Sequence, residues 1–416
     1  MGTARMRETA QSTRRPDLRD DRSPRVLHVT ESLGRGGAER NLVNMIVATR
    51  DDFDHQVLCL YADSDLEAEV REAGVSVEYL RGSRTVWGWV PLIFRIRRRL
   101  RAARPDLVHT QLPMADIAGR IAVMLSGGVP VVSTLQTTLY APETLAREIP
   151  NPLLAWTVRR LDSWSVRRTR ARLVAVSEEV RRAYGKGLGI DSGQIALIHN
   201  SVDLKRLPYR GERPVMELRE ALGLPSGFFV VVTAARHVAA KGLEYLIGAL
   251  REPPLAHASV CLVLLGGGPD KSRLARLAEG IPSSHRVVFP GRRGDVPRFL
   301  AAADVFALPS LHEGMPLALL EAMAVRTPCV VTDLPHAREA AGDQAAILVP
   351  PRDSRSLAEA LANLLHDRGR CSRLSVLGRK RVERFFDACA NAQAFARELR
   401  EAIARGPGSG GGRSDR

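Results

Sequence analysis

The chain alternates short apolar runs with longer stretches in which apolar residues recur every three or four positions. A short continuous apolar run reads as a strand covered on both faces, and a longer periodic stretch reads as a helix lying on a sheet. This pattern predicts strands at Arg25 to Thr30, Gln56 to Tyr61, Val75 to Leu80, Asp106 to Thr110, Val129 to Thr134, Arg172 to Ser177 and Ile195 to His199. A second set is predicted at Phe228 to Ala234, Val260 to Gly266, Val287 to Gly291, Val305 to Leu308, Pro328 to Thr332 and Ala346 to Val349. Helical stretches separate most of these; the first, running to Thr49, gathers Leu42, Val43, Met45 and Ile46 on one side. Strand and helix in alternation argue for parallel, doubly wound α/β sheets. After Pro351 the pattern becomes wholly helical, at Leu357 to Leu365, Leu374 to Phe386 and Ala388 to Ile403. Leu204 to Glu217, rich in Pro, Arg and Gly, reads as a linker. The expected organisation is a first domain over 24–203, a linker over 204–217, a second domain over 218–385 and a last helix over 386–404. Residues 1–23 are polar and aperiodic and 405–416 are Gly-rich, so both ends are expected to be disordered.

Chemistry concentrates where predicted strands give way to helices. In the stretch from Asp304 to Glu321, a strand ends at Pro309 and Ser310, and a short loop carries Glu313 and Gly314. An apolar helix then opens at Pro316 and runs to Val325. Gly314, Met315, Pro316 and Leu317 form a helix start that suits an anion or a sugar, while Glu313 and Glu321 offer acceptors for two sets of hydroxyls. Read alone, the stretch is one more strand–helix unit with a surface Glu. Upstream, Gly34-Arg35-Gly36-Gly37-Ala38-Glu39 makes a Gly-rich turn after the first strand. Gly36 and Gly37 would let a phosphate approach the backbone, but the spacing is not that of a dinucleotide fingerprint. In the second half, Arg236 and Lys241 flank a strand-to-helix transition, where two cations could neutralise a leaving diphosphate. A glycine turn at Gly266 to Pro269 again suits nucleotide approach. Asp63-Ser64-Asp65 has the letters of a metal-holding motif but reads as a surface segment outside these turns, so no metal is expected. His109 ends a strand and reads as a packed, hydrogen-bonded residue.

Taken together and in this order, these motifs resemble the retaining glycosyltransferases of family four, over residues 25 to 400. Glu313, Gly314, Pro316, Glu321 and Ala322 match that family's signature. Gly-Gly-Ala-Glu, Ala235-Arg236 with Lys241-Gly242, and Ile198-His199-Asn200-Ser201-Val202-Asp203 resemble its other motifs, with Ala235 and Ser201 replacing glycines. The resemblance implies a GT-B fold: two Rossmann-like domains facing an interdomain cleft, with the last helix crossing back to the first domain. It implies transfer of a hexosyl group, with retention, from a nucleotide diphosphate sugar of the UDP or GDP type to a hydroxyl, without a metal or other cofactor. It places Glu313 on the donor sugar, Glu321 on the ribose, and the loop at Arg292 along the base. Gln136 stands where the family often carries a His; it can hydrogen-bond a sugar hydroxyl but cannot act as acid or base near neutral pH. Arg236, Lys241 and Glu313 are therefore the expected catalytic residues. Gly36, Gly37, Gln136, Arg292, Gly314, Met315, Pro316, Leu317 and Glu321 are the expected donor site. A glycoside phosphorylase or a nucleotide-sugar epimerase on the same fold remains the alternative.

Composition adds the partners. The formal charge is +15, and only five of the 61 basic residues are Lys. Such a balance favours phosphates and anionic lipid. Nucleic acid is not expected, because the chain shows neither an aromatic platform nor a helix-turn-helix pattern. In residues 86–104, Trp87, Trp89 and Phe94 interleave with Arg95, Arg97, Arg98 and Arg99. Such a helix can lie on an anionic membrane, or simply pack on the sheet with a solvated Arg face. Tyr140 to Arg170, with Trp156 and Trp164, is similar and would line the acceptor side. Lipid-linked and polysaccharide acceptors of the cell envelope fit these basic helices. Five Cys without a C-x-x-C argue against disulfides and zinc, and Cys59, Cys261 and Cys329 read as buried thiols. With no apolar stretch long enough to span a bilayer and no apolar signal core in the first residues, the expected location is the cytoplasm, peripheral to the inner face of the membrane.

Overall fold

The computed structural model describes residues 22–83, 88–208 and 215–407. Residues 1–21 and 408–416 of the two ends, on which the expected disorder falls, Trp87 and residues 209–214 of the linker therefore lie outside the described residues. The first half forms a seven-stranded parallel sheet in the order β3-β2-β1-β4-β5-β6-β7. Its strands are β1 (Arg25–Thr30), β2 (Asp54–Cys59), β3 (Ser76–Tyr79), β4 (Leu107–Gln111), β5 (Val131–Leu135), β6 (Arg172–Ala175) and β7 (Ala196–Leu197). Between them run α1 (Gly37–Ala48), α2 (Glu67–Glu72), α3 (Trp89–Ala103), α4 (Pro113–Met124), α5 (Pro142–Glu148), α6 (Pro152–Thr169) and α7 (Glu178–Leu188). The second half, after α8 (Val215–Ala221), forms a six-stranded parallel sheet in the order β10-β9-β8-β11-β12-β13. These strands are β8 (Phe229–Ala234), β9 (Val260–Leu265), β10 (Arg286–Gly291), β11 (Val305–Leu308), β12 (Cys329–Thr332) and β13 (Ile347–Val349). Its helices are α9 (Leu243–Ala249), α10 (Lys271–Glu279), α11 (Val296–Ala302), α12 (Leu317–Ala324), α13 (Pro335–Ala341), α14 (Ser354–His366), α15 (Arg368–Phe385) and α16 (Ala388–Arg405).

The two doubly wound sheets are those the apolar pattern anticipates. Both faces of each are covered, which is why the strands read as unbroken apolar runs. In the first sheet, Leu42 and Ile46 of α1 pack with Val26 and Val57 on one face, while Leu92 and Ile96 of α3 and Ala118 of α4 pack with Leu27 and Val29 on the other. The chain then crosses back. Val202 and Asp387 pair as a parallel bridge, and α16 packs Phe395 and Leu399 into the first domain's core. Arg172 of β6 holds Glu398 and Glu401 of α16 by ion pairs, the latter at 3.0 Å. Cys59, Cys261 and Cys329 lie buried.

The strand orders also fix where ligands can sit. The direction of winding reverses between β1 and β4 in one sheet and between β8 and β11 in the other. In open α/β sheets the crevice beyond the carboxyl ends of such strands is the binding place. The Gly34–Glu39 turn follows β1, Arg236 and Lys241 follow β8, and Glu313 follows β11.

Candidate active site

The two reversal points face one another. A β-carbon on Gly37, at the start of α1, would sit 3.5 Å from Cβ of Leu317, at the start of α12. Two helix N-termini, whose first N–H groups have no partner within the helix, thus meet. Gly314 lies against the loop after β5: a β-carbon there would come within 2.1 Å of the Gln136 carbonyl oxygen. Only glycine permits that approach of backbone to backbone. Asn200 donates to the Met315 carbonyl at 3.4 Å, so the Ile198–Asp203 motif also reaches the loop after β11. The helix itself begins at Leu317, with Pro316 in the capping position rather than in the first turn.

Lys241 and Glu313 form an ion pair, both side chains mostly buried, and Ser310 donates to the same carboxylate at 2.9 Å. The two loops are stitched by the Leu311 N–H donating to the Ala240 carbonyl at 2.8 Å. Gly242, immediately after Lys241, has φ +58°, and a β-carbon would lie 2.3 Å from the Pro309 carbonyl oxygen. Burial pushes the Glu313 carboxyl upward, but Lys241, with His336 and Ser310, outweighs burial and holds it below its ordinary value. Among the described residues Glu321 has no such ion-pair partner. Burial raises its carboxyl to about 7, with Arg40 opposing.

Arg236 is exposed and lies near enough to Glu39 for its charge to be felt there. Burial pushes Glu39 up; its own backbone N–H, a 3.2 Å bond from Ser32 and the charge of Arg236 pull it partly back. Arg292 is exposed beside the glycine turn after β9: a β-carbon on Gly267 would lie 3.6 Å from its Cγ. The structure thus brings Gly37, Gln136, Gly314, Met315 and Leu317 to one crevice, with Lys241 paired to Glu313 beside it.

One member, Gln111, and several of the contacts were not read from the sequence. Gln136 donates to Gln111 at 3.2 Å, and Gln111 donates to the Ala38 carbonyl at 3.0 Å. A backbone carbonyl only accepts, so Gln111 must turn its NH2 toward Ala38 and its oxygen toward Gln136. Gln136 therefore keeps its own oxygen out of the bond with Gln111. The position of Gln111 at the end of a reversal strand was the available signal. Across the domains, Glu339 accepts the Glu178 N–H on both oxygens at 2.9 Å and meets His199 at 2.8 Å. His109 is the packed residue expected, bonded to His28 and Thr134, each at 2.9 Å. One expectation is corrected. Asp63 is not remote from the glycine turn: its carbonyl accepts from Leu33 at 2.9 Å and its Cβ lies 3.5 Å from where a β-carbon on Gly34 would be. The apolar run that follows β2 carries the segment back beside β1. Asp65 is paired with Arg35 at 3.5 Å.

The family model described as "Glycosyl transferases group 1" matches residues 215–381, and that described as "Glycosyltransferase Family 4" matches residues 35–206. The UDP-Gal:alpha-D-GlcNAc-diphosphoundecaprenol alpha-1,3-galactosyltransferase of Escherichia coli is 29% identical over 329 residues, covering 74% of this chain and 79% of that protein. Among solved structures, Anabaena HepE in complex with UDP and glucose superposes with a TM-score of 0.78 at 24% identity, covering 91% of this chain and 99% of that one. WaaG, a glycosyltransferase involved in lipopolysaccharide biosynthesis, superposes at 0.71 and 18% identity, covering 90% and 99%. These structures share the GT-B fold. Two family models spanning the two halves, read with the paired crevice, place this chain among the group 1, family 4 glycosyltransferases: it is a glycosyl-transferring enzyme.

Proposed function

We propose that this enzyme transfers a hexosyl group from a UDP-type nucleotide diphosphate sugar to a hydroxyl, with retention and without a metal. The observation that carries the reading is the buried Lys241–Glu313 pair set beside two opposed helix starts. Glycosyl transfer leaves a diphosphate whose charge grows as the C1–O bond stretches. Arg236, Lys241 and the N–H groups of Gly36 and Gly37 supply preorganised positive charge where it develops. Glu313 holds the sugar hydroxyls, Gln136 adds its oxygen, Glu321 takes the ribose and the Arg292 loop borders the base. Glu313, the carboxylate set against the sugar, is committed to Lys241 and Ser310 and is assigned no nucleophilic role. The acceptor oxygen therefore attacks C1 on the face that the diphosphate leaves. The new C1–O bond forms as the old one breaks, and the acceptor proton passes to the departing phosphate oxygen.

The UDP found with HepE supports the donor type. The E. coli relative's diphosphoundecaprenol substrate supports a lipid-linked acceptor at the inner face of a membrane, with a cell-envelope role. Among the described residues no helix is long and apolar enough to cross a membrane. The test is a panel of nucleotide sugars with polyprenyl-diphosphate-linked sugar acceptors, reading nucleotide release and the anomeric configuration of the product by NMR. An α-linked product from an α-linked donor is expected. Sugar 1-phosphate formed from inorganic phosphate, or an epimerised donor without acceptor, would replace this reading with one of the two alternatives.

A further inference from the structure

We propose that the outward face of α6 docks the enzyme on a membrane surface rich in anionic lipid. The proposal deepens the lipid-linked acceptor reading, on which its catalytic relevance rests. The helix is built in two halves around its axis. Ala155, Val158, Asp162, Ser165 and Val166 face inward. Asp162, its sole acidic residue, is buried there against Arg120 of α4 and accepts from the Tyr140 hydroxyl at 2.6 Å. Arg120 also donates to Ser165 at 3.0 Å. These contacts fix the rotation of the helix, and the inward acid is neutralised.

The outward half is apolar and cationic at once. Leu153 is 72% exposed, Trp156 58% and Trp164 48%. Arg159, Arg160 and Arg168 are exposed among them, and the Arg160 guanidinium lies over the Trp156 ring at 5.7 Å, while Arg167 is committed to the Leu188 and Gly189 carbonyls at 3.2 and 2.9 Å. Water is a poor partner for two large indoles and a leucine on one helix face. The bilayer interface accepts Trp and Leu at the acyl boundary while its anionic headgroups take Arg. A protein partner with an acidic rim would meet the same cations, but an acid-free face along the whole helix fits a continuous negative surface better.

The alternative location, α3, is the weaker one. It turns Leu92, Ile96 and Leu100 into the sheet. Its Arg95 and Arg97 are spent on the Leu80 and Leu125 carbonyls at 2.9 and 2.8 Å, and Arg99 pairs with Glu78 at 2.7 Å. The α6 face also lies close to the crevice in the chain. α5 leads directly into α6, and its Glu143 meets His312, the neighbour of Glu313, at 3.1 Å. A lipid surface against α6 thus holds a membrane-borne acceptor near the donor loop.

Co-sedimentation of the full chain with mixed phosphatidylglycerol–phosphatidylcholine vesicles tests this, with pure phosphatidylcholine vesicles alongside. The wild-type protein is expected to pellet with the anionic vesicles, less so at high salt, and its tryptophan emission to shift blue. Trp156→Ser with Trp164→Ser should lower the partition coefficient about tenfold or more. Arg160→Gln with Arg168→Gln, which leaves the packed face alone, should lower it about 25-fold, near fivefold per Arg. Phe94→Ser on α3 should change it little. Binding of both α6 variants equal to that of the wild type, no binding of the wild type, or indifference to lipid charge would overturn the proposal. Concentration-dependent self-association abolished by the Trp substitutions would assign the face to a second copy instead. Nucleotide release from the donor in solution, measured in the same variants, reports separately on the transferase reading.

Discussion

Replacing Lys241 with Met removes the ammonium while keeping most of the stem's volume. The Glu313 carboxylate then stays mostly buried, with Ser310 as its direct hydrogen-bond donor among the described residues. Breaking a buried pair on one side costs about 3–5 kcal/mol, because the surviving charge is left uncompensated. The Ser310 bond and the residual exposure of the carboxylate place this case near the lower end, about 3 kcal/mol. At roughly 2–4 °C per kcal/mol for domains of this size, melting should fall by about 6–12 °C. The pH dependence discriminates further. In the wild type the Glu313 carboxyl is held below its ordinary value. Its pairing therefore contributes stability above the unfolded carboxyl pKa, and that contribution is lost as pH falls through the depressed folded value. In Lys241→Met, burial acts almost unopposed and raises the carboxyl. The penalty is then present at pH 8 and relieved on acidification, so the gap between the proteins should narrow at pH 5. Adding Glu313→Gln should recover most of the loss. Thermal melts of the three proteins at pH 8 and pH 5 decide the matter. A deficit under about 1 kcal/mol, or one independent of pH, would refute the buried-pair reasoning.

Other outcomes are expected at neighbouring positions. Burial lifts the Glu321 carboxyl to about 7, which penalises the ionised form in the folded protein above that pH; ribose hydroxyls donating to the carboxylate would lower it. UDP affinity should then rise by up to about tenfold between pH 6 and pH 8, and calorimetry on Glu321→Gln, which subtracts the titration of the phosphate itself, should lack that increment. Gly314→Ala drives a β-carbon into the Gln136 carbonyl, which is backbone and cannot step aside. The circular dichroism spectrum should be unchanged while donor turnover falls about 10²-fold. Glu339→Ala leaves the first N–H of α7 uncapped and frees His199, weakening domain contact by about 2–3 kcal/mol. Small-angle scattering should show a larger radius of gyration for that variant.

The strands were legible because both sheets are covered on two faces: Val305 to Leu308 carries only apolar residues, and all four are buried. Helix ends were less so. The pattern placed the start of α15 near Leu374, whereas it begins at Arg368, since Arg368-Gly369-Arg370-Cys371-Ser372-Arg373 carries no apolar periodicity. The signal present was Asp367, which accepts the Arg370 N–H at 2.8 Å as a helix cap. Arg120 carries no mark of burial in the sequence, yet it is buried, its charge answered by Asp162 from a different helix. Contacts of that kind, like Glu339 with Glu178 or Gln111 with Ala38, join residues far apart in the chain and leave no local periodicity to read. The motif residues were found because each follows a strand, with Gly36 and Gly37 after β1, Arg236 and Lys241 after β8 and Glu313 after β11 at the reversal points; the hydrogen bonds that orient them were not.

The most direct measurement is the rate of nucleotide diphosphate release from the preferred nucleotide sugar in Arg236→Ala and Glu313→Gln, at saturating donor. Loss of one preorganised group facing the developing charge or the sugar should lower turnover by about 10²–10³-fold in each, with the fold retained. Near-normal turnover in both proteins would contradict the account, because the leaving diphosphate and the sugar would then be stabilised by other groups than those gathered at this crevice.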